Sequence, residues 1–182
     1  MIPPQILTAT GRYFDFANPN PASIEIEDIA IALSRACRFT GHTREFYSVA
    51  QHSVYVSYFV PREHALAGLL HDASETYMGD MNTPLKQLLP EYKAIERRVE
   101  QAICARFGLA YPFDPCVKQA DLRMLITERR DLMAKPLPEN VQTDAIAWAD
   151  FGSIPPLATR IRGLHSDDAR QVFLDRFYEL SR

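Results

Sequence analysis

The sequence is poor in several features that mark whole classes of protein. Its 182 residues include 7 glycines, 1 tryptophan and 3 cysteines, and no two of the cysteines have a CxxC spacing. This composition excludes collagen-like, disordered and disulfide-stapled chains. It predicts that Cys37, Cys104 and Cys116 are reduced thiols that pack as small apolar groups. The rest of the composition, with 47% hydrophobic and 24% charged residues, is typical of a soluble globular domain.

The sequence also lacks an excess of basic residues and any long apolar run. Its 20 Lys and Arg against 23 Asp and Glu give a net charge of −3, which argues against a protein that coats nucleic acid or an anionic membrane. The apolar stretch 65–70 is far too short to span a bilayer. Residues 1–10 have no basic region followed by an apolar one, so we expect no signal peptide and a cytoplasmic protein. A small anionic ligand remains compatible with this charge.

What the sequence does have is helical periodicity. From residue 24 onward, apolar residues recur at a spacing near 3.6, and no segment alternates like a strand for more than a few residues. We predict an all-α bundle of about six to eight helices, with a small hairpin or loop near the start, forming one domain over residues 1–182. Its motif core covers about 24–133, and an irregular proline-rich segment covers about 134–160. The main predicted helices span 47–60, 62–78, 91–107, 115–133 and 167–180, the last capped by Ser166.

Four polar residues interrupt the apolar pattern of these helices. His52 and Asp121 each lie on the apolar face of a predicted helix, and His71 and Asp72 follow a helical stretch that is apolar nearly all round. A lone buried His is more often a hydrogen-bonded structural residue, and a lone inward Asp more often caps a neighbouring helix. Together, however, they would all be satisfied by one divalent cation. Two imidazoles and two carboxylates favour a transition metal such as Mn, Fe, Co, Ni or Zn over calcium.

This set resembles the H…HD…D signature of the HD-domain phosphohydrolase superfamily, whose residues surround a divalent metal. Residues 71–86, which read HDASETYMGDMNTPLK, are similar to the HDASE…GD…TPLK signature of the small bacterial YfbR-like 5′-deoxyribonucleotidases. The resemblance covers about 24–133. Its front part, residues 37–42, looks closer to a phage and prophage branch, the YfdR-like proteins. Arg38-Phe39 stands roughly where the best-known nucleotidases have a substrate-contacting Arg-Trp pair.

Further roles follow from the residue chemistry and from the resemblance. Glu75 lies one helical turn beyond the metal residues, where it can manage the proton of a water or of a leaving group. The resemblance implies that Asp80 is a second acid-base or sugar-contacting carboxylate, and a turn residue that ends a helix is its alternative interpretation. Arg38 is the strongest candidate for phosphate binding, because its planar fork matches phosphate oxygens. The other substrate-binding candidates are Lys86, Lys118, Thr83 and His42.

Some other polar residues are expected to have no part in the site. The charged run 128–131 is interpreted as a set of local ion pairs, each worth little if exposed. His64 and His165 lie in polar or terminal contexts and are interpreted as surface groups.

These features predict a metal-dependent enzyme that removes phosphate from deoxynucleoside 5′-monophosphates. One alternative is a deoxynucleoside triphosphate triphosphohydrolase, since small phage HD proteins that act on dATP have similar motifs. A second is a nucleotide-binding module without catalysis, although all four candidate ligands and Glu75 are present. The expected partners are a small deoxynucleotide and further copies of the chain in a homo-oligomer, with neither a nucleic-acid polymer nor a membrane.

Overall fold

The computed structural model describes residues 3–182, and its architecture is all-α, as predicted. None of the helices in this part of the chain has the length and apolar character needed to cross a membrane. Within residues 3–182 there are nine α-helices, which are α1 (Ile26–Arg35), α2 (Val49–Tyr58), α3 (Ala65–Leu70), α4 (Glu75–Met78), α5 (Thr83–Lys86), α6 (Pro90–Phe107), α7 (Pro115–Leu132), α8 (Val141–Ala147) and α9 (Ser166–Leu180).

A short hairpin precedes the helices, in agreement with the sequence. Strands β1 (Gln5–Leu7) and β2 (Tyr13–Asp15) pair antiparallel. The loop between them is tied to α1, because both the backbone amide and the hydroxyl of Thr10 donate to Asp28 at 2.8 Å. Phe14 is fully buried and stacks on Tyr77 of α4, with ring centroids 3.7 Å apart. The hairpin therefore covers the helix that carries Glu75.

The predicted single helix over 62–78 is wrong. A 3₁₀ turn (Arg62–His64) precedes α3, and residues 71–74 separate α3 from α4. Across this break the backbone bonds span three residues, as in the 3.0 Å bond from the Ala73 amide to the Leu70 carbonyl. The His71 ring contributes to the break, because its Nδ1 bonds the Gly68 carbonyl at 2.8 Å. His71 and Asp72 thus lie between two helices and not within one.

Helix α2 lies at the centre of the molecule and packs against α1, α3, α7 and α9. One buried apolar cluster joins α1, α2, α3 and α9, and a second joins α2 to α7. Helices α2 and α3 approach closely at Gly68, where an added Cβ would lie 3.2 Å from the Ser57 Cα. This close approach brings His52 of α2 near the break that follows α3.

The N-terminus of α9 differs from the prediction, and the proline-rich segment contains a helix that was not predicted. Ser166 is the first residue of α9 and not its cap, because His165, with φ −61° and ψ 151°, occupies the extended capping position. The proline-rich segment contains α8, and Trp148 beyond it lies under the Arg129 guanidinium, 4.3 Å from carbon to ring centroid. This cation–π contact fastens the segment to α7.

Candidate metal centre

The structure brings the four candidate ligands together. Nε2 of His52 lies 3.3 Å from Nε2 of His71 and 3.3 Å from Oδ1 of Asp121. Oδ2 of Asp72 lies 3.2 Å from Nε2 of His71 and 3.6 Å from Nε2 of His52. Residues from α2, from the break after α3 and from α7 therefore surround one small volume.

The hydrogen bonds of the two imidazoles indicate which kind of ion could bind between the four side chains. Nδ1 of His71 bonds the Gly68 carbonyl at 2.8 Å, and Nδ1 of His52 bonds Oε1 of Glu128 at 2.6 Å. Since both partners are acceptors, each Nδ1 carries a hydrogen, and in the neutral ring each Nε2 presents a lone pair. Two such lone pairs facing two carboxylate oxygens repel one another, and either a proton on Nε2 of His52 or a metal cation between the ligands relieves that repulsion. The donor set fits one divalent transition metal with oriented imidazole ligands.

The electrostatics around the ligands also favour a cation. Burial and the Arg38 charge lower the pKa of His52, but Glu128 and Asp121 outweigh them and raise it to about 9. Burial raises the pKa of Asp72, yet His71 and Arg38 lower it below its usual value, so the carboxylate stays ionised. The centre thus stabilises positive charge near the imidazoles.

Glu128 is a site residue that the sequence analysis missed. Its side chain is fully buried, and Oε2 lies 3.5 Å from Nη2 of Arg38 while Oε1 holds His52. The interpretation of 128–131 as a local surface network was therefore wrong for this residue. The spacing of Glu128 could have indicated this role. Seven residues, or about two helical turns, separate it from Asp121, so both lie on the same face of α7. His52 and Arg38 lower the pKa of Glu128, although burial raises it.

Arg38 is buried beside this cluster, where Nη1 lies 3.3 Å from Oδ2 of Asp72. Its Nε has no hydrogen-bond partner among residues 3–182, which leaves one donor for a ligand. Phe39 and Thr40 follow with φ of 56° and 55°, a left-handed conformation that non-glycine residues rarely adopt. The amide of Phe39 donates to Oδ2 of Asp80 at 3.0 Å, so Asp80 fixes this strained turn.

Glu75 lies on α4 and is buried, with 6% of its surface exposed. Its Oε2 makes no hydrogen bond to the described residues. Burial, together with the negative charges of Asp72 and Asp80, raises the pKa of Glu75 well above its ordinary value. A carboxyl group whose pKa is raised in this way is suited to accepting and donating a proton.

The remaining predicted substrate residues are less closely associated with the candidate metal ligands. Lys118 is 69% exposed and its Nζ lies 2.7 Å from Oδ2 of Asp121. Lys86 donates to Glu96 at 2.5 Å. Thr83 begins α5 and His42 follows the turn after Arg38, and both are exposed. Only Lys118 of these four is paired with a candidate metal ligand.

A helical fold that gathers the side chains of an H…HD…D pattern defines a class, the HD-type hydrolases. A family model described as 5′-deoxynucleotidase YfbR-like matches residues 43–111. The chain is 41% identical to the uncharacterized protein YfdR of Escherichia coli over 177 residues, which are 97% of this chain and 95% of that protein. It is 35% identical over 188 residues to an uncharacterized protein of Rhodobacter capsulatus, with 95% and 93% covered. The chain belongs to the YfbR-like family, in its YfdR-like branch.

Proposed function

We propose that the protein is a metal-dependent phosphohydrolase that releases phosphate from deoxynucleoside 5′-monophosphates. The observation that carries this proposal is the convergence of four electron-pair donors beside a buried glutamate, Glu75, with an unpartnered oxygen. The description of the matched family, 5′-deoxynucleotidase, supports the choice of substrate. The metal is one divalent ion among Co, Mn, Zn, Fe and Ni, held by His52, His71, Asp72 and Asp121.

The residues around the centre are proposed to have separate roles in phosphate binding and proton transfer. A bound divalent cation would stabilise negative charge on phosphoryl oxygens and lower the pKa of a water. Arg38 supports phosphate binding, because its Nε is a buried donor without a partner among residues 3–182. Glu75 would take the proton from the attacking water or supply one to the departing sugar oxygen. Asp80 holds the Phe39 turn against the site and is the second acid-base candidate.

The pairing of nearby basic residues supports a substrate with one phosphate over a triphosphate. Arg38 lies beside Asp72 and Glu128, Lys86 is bonded to Glu96, and Lys118 is bonded to Asp121. A triphosphate carries further negative charge, and meeting it would require the partly buried ion pairs of Arg38 and Lys86 to be broken, whereas the exposed pair of Lys118 opposes this little. Lys86, Lys118, Thr83 and His42 remain candidates for contacts with the nucleotide, and a homo-oligomer remains the proposed assembly.

The proposal is tested by stripping the protein of metal, reloading it with one metal at a time, and supplying dAMP, dCMP, dGMP, dTMP, AMP or dATP separately. We expect inorganic phosphate from the deoxynucleoside monophosphates. Release of triphosphate from dATP as the main product would favour the triphosphohydrolase instead. Nucleotide that binds and stays intact with every metal would favour a binding module without catalysis.

Variants connect this activity to the centre. His71→Ala is expected to lose the metal of this centre, about one equivalent relative to the unaltered protein, and to lose hydrolysis with it, because it removes one of the four donors. His165→Ala, which alters an exposed histidine before α9, is the matched control and should retain both. Metal content by elemental analysis and phosphate release are the two measurements. Normal hydrolysis by His71→Ala would contradict the assignment.

A further inference from the structure

A second group of metal-ligating side chains lies outside the centre described above. His64 ends the 3₁₀ turn before α3, Asp114 caps α7, and Cys116 is in the first turn of α7. Each offers one ligand atom, and these atoms lie within 4.8 Å of one another. From the sequence, His64 was expected to be a surface group because of its polar context, and Cys116 a small apolar thiol.

The carboxylate of Asp114 is already oriented toward the other two residues. Its Oδ1 accepts the backbone amide of Cys116 at 2.8 Å, which fixes the side chain. Its Oδ2 lies 3.8 Å from Nε2 of His64, too far for a hydrogen bond. Ligands bound to one zinc ion at about 2.0–2.3 Å are roughly 3.3–3.8 Å apart in tetrahedral geometry. The separation between His64 and Asp114 is thus close to that of two ligands of a single ion.

We propose that His64, Asp114 and Cys116 form a second metal site, which binds a zinc-like divalent cation. An imidazole, a carboxylate and a thiolate together select zinc or cobalt over magnesium and calcium, which prefer oxygen ligands. The side chains of His64 and Asp114 are 34% and 44% exposed, so an ion reaches them from solvent. Three protein ligands leave the fourth tetrahedral position for water.

The site would join two elements that build the catalytic centre. His64 immediately precedes α3, and α3 leads to His71 and Asp72, whereas Cys116 lies on the helix that carries Asp121. Helices α3 and α7 pack against each other. An ion between the start of α3 and the start of α7 therefore stabilises the helix pair that holds the catalytic ligands.

Cobalt provides a readout that separates the two sites. The four residues of the catalytic centre include no sulfur, so a near-ultraviolet charge-transfer band from thiolate to cobalt reports only a cysteine ligand. We expect this band when the metal-free protein is titrated with Co²⁺, and we expect it to be lost in Cys116→Ser and in His64→Ala. Cys37→Ser, which changes another partly buried thiol, should retain it. A titration without the band, or a band that persists in Cys116→Ser, would overturn the proposal.

A second measurement keeps the test independent of catalysis. His71→Ala removes a ligand of the catalytic centre and leaves the proposed site intact, so it serves as the background. Zinc is expected to raise the midpoint of thermal unfolding of His71→Ala, because an ion that binds only the folded state stabilises it. The same addition should leave the midpoint of the double variant His71→Ala/Cys116→Ser unchanged. Equal shifts in the two proteins would overturn the proposal, whatever the enzyme assays show.

Discussion

Two buried glutamates near the candidate metal centre have opposite electrostatic character. Glu128 on α7 holds His52 and lies beside Arg38, and these two positive partners lower its pKa. Glu75 on α4 has an unpartnered oxygen, and burial with Asp72 and Asp80 nearby raises its pKa. Burial penalises the charge of both residues, so the sign of the neighbouring charges decides the outcome. One glutamate is suited to orienting a ligand and the other to carrying a proton.

The largest effect is expected for Glu75→Gln, which keeps the size of the side chain and removes its proton chemistry. Hydrolysis should fall by about 10²–10⁴-fold, the usual contribution of general acid-base catalysis. Metal content should stay the same, and the midpoint of thermal unfolding should be unchanged or higher, because a neutral amide replaces an unpartnered buried carboxyl. Phosphate release, elemental analysis and calorimetry measure these three quantities. A normal hydrolysis rate would show that Glu75 is not the proton carrier.

Glu128→Gln should have the opposite effects, with lower metal affinity and stability and a rate that depends on the metal supplied. The amide can still accept from His52, but the charge that balances His52 and Arg38 is lost. Metal affinity should fall by about 10–100-fold, and the free energy of unfolding should fall by about 3 kcal/mol. The rate should largely recover when metal is added in excess. Glu139→Gln, on an exposed turn, is the control, and a Glu128 variant with unchanged metal affinity would remove the contrast between the two glutamates.

A smaller effect is expected for Arg38→Lys, which keeps the positive charge and loses the forked donors. The KM for the nucleotide should rise about tenfold, equivalent to the loss of one hydrogen bond to a charged group. Steady-state kinetics of this variant beside Arg35→Lys, an exposed arginine at the end of α1, measure the change. A KM that moves equally in both variants would place Arg38 outside the substrate site.

The smallest effect concerns Asp131, which lies on α7 one turn beyond Glu128. The hydrogen bond from Arg130, helped by the Ile161 amide and Arg160, lowers the pKa of Asp131. A carboxylate with a lowered folded-state pKa stabilises the protein above its unfolded pKa of about 3.9, and this stabilisation is lost as pH falls through the folded value. Asp131→Asn should therefore lower stability by about 1 kcal/mol at pH 7. The gap between the two melting temperatures should narrow as the pH is lowered toward 3, and a gap independent of pH would contradict this cause.

The same contrast explains which residues of the site could be predicted from the sequence. His52 and Asp121 were conspicuous because a polar residue on an apolar helix face is unusual. Glu128 was not, because it begins a run of charged residues whose composition matches a solvated surface, and only its spacing from Asp121 distinguishes it. Asp131 lies in the same run and also has a largely buried side chain, with 2% exposed.

The fold likewise has some helices that the sequence predicted and some features that it did not. Helical periodicity predicted α2, α6, α7 and α9 to within a few residues, because apolar residues recur along each of them at a spacing near 3.6. The break after α3 could not be predicted, because it depends on the His71 ring reaching the Gly68 carbonyl. The pairing of His64 with the start of α7 was likewise hidden, because it arises from the packing of helices separated by about fifty residues of sequence.

Gly68 has a consequence for the distance between the two candidate imidazole ligands. A methyl group on this residue would meet Ser57 of α2 at a distance that forces the neighbouring atoms apart by a few tenths of an ångström. Metal–ligand bond lengths tolerate only about 0.2 Å of variation. A residue with no side chain, itself not a candidate ligand, therefore keeps α2 and α3 close enough for His52 and His71 to face a single ion.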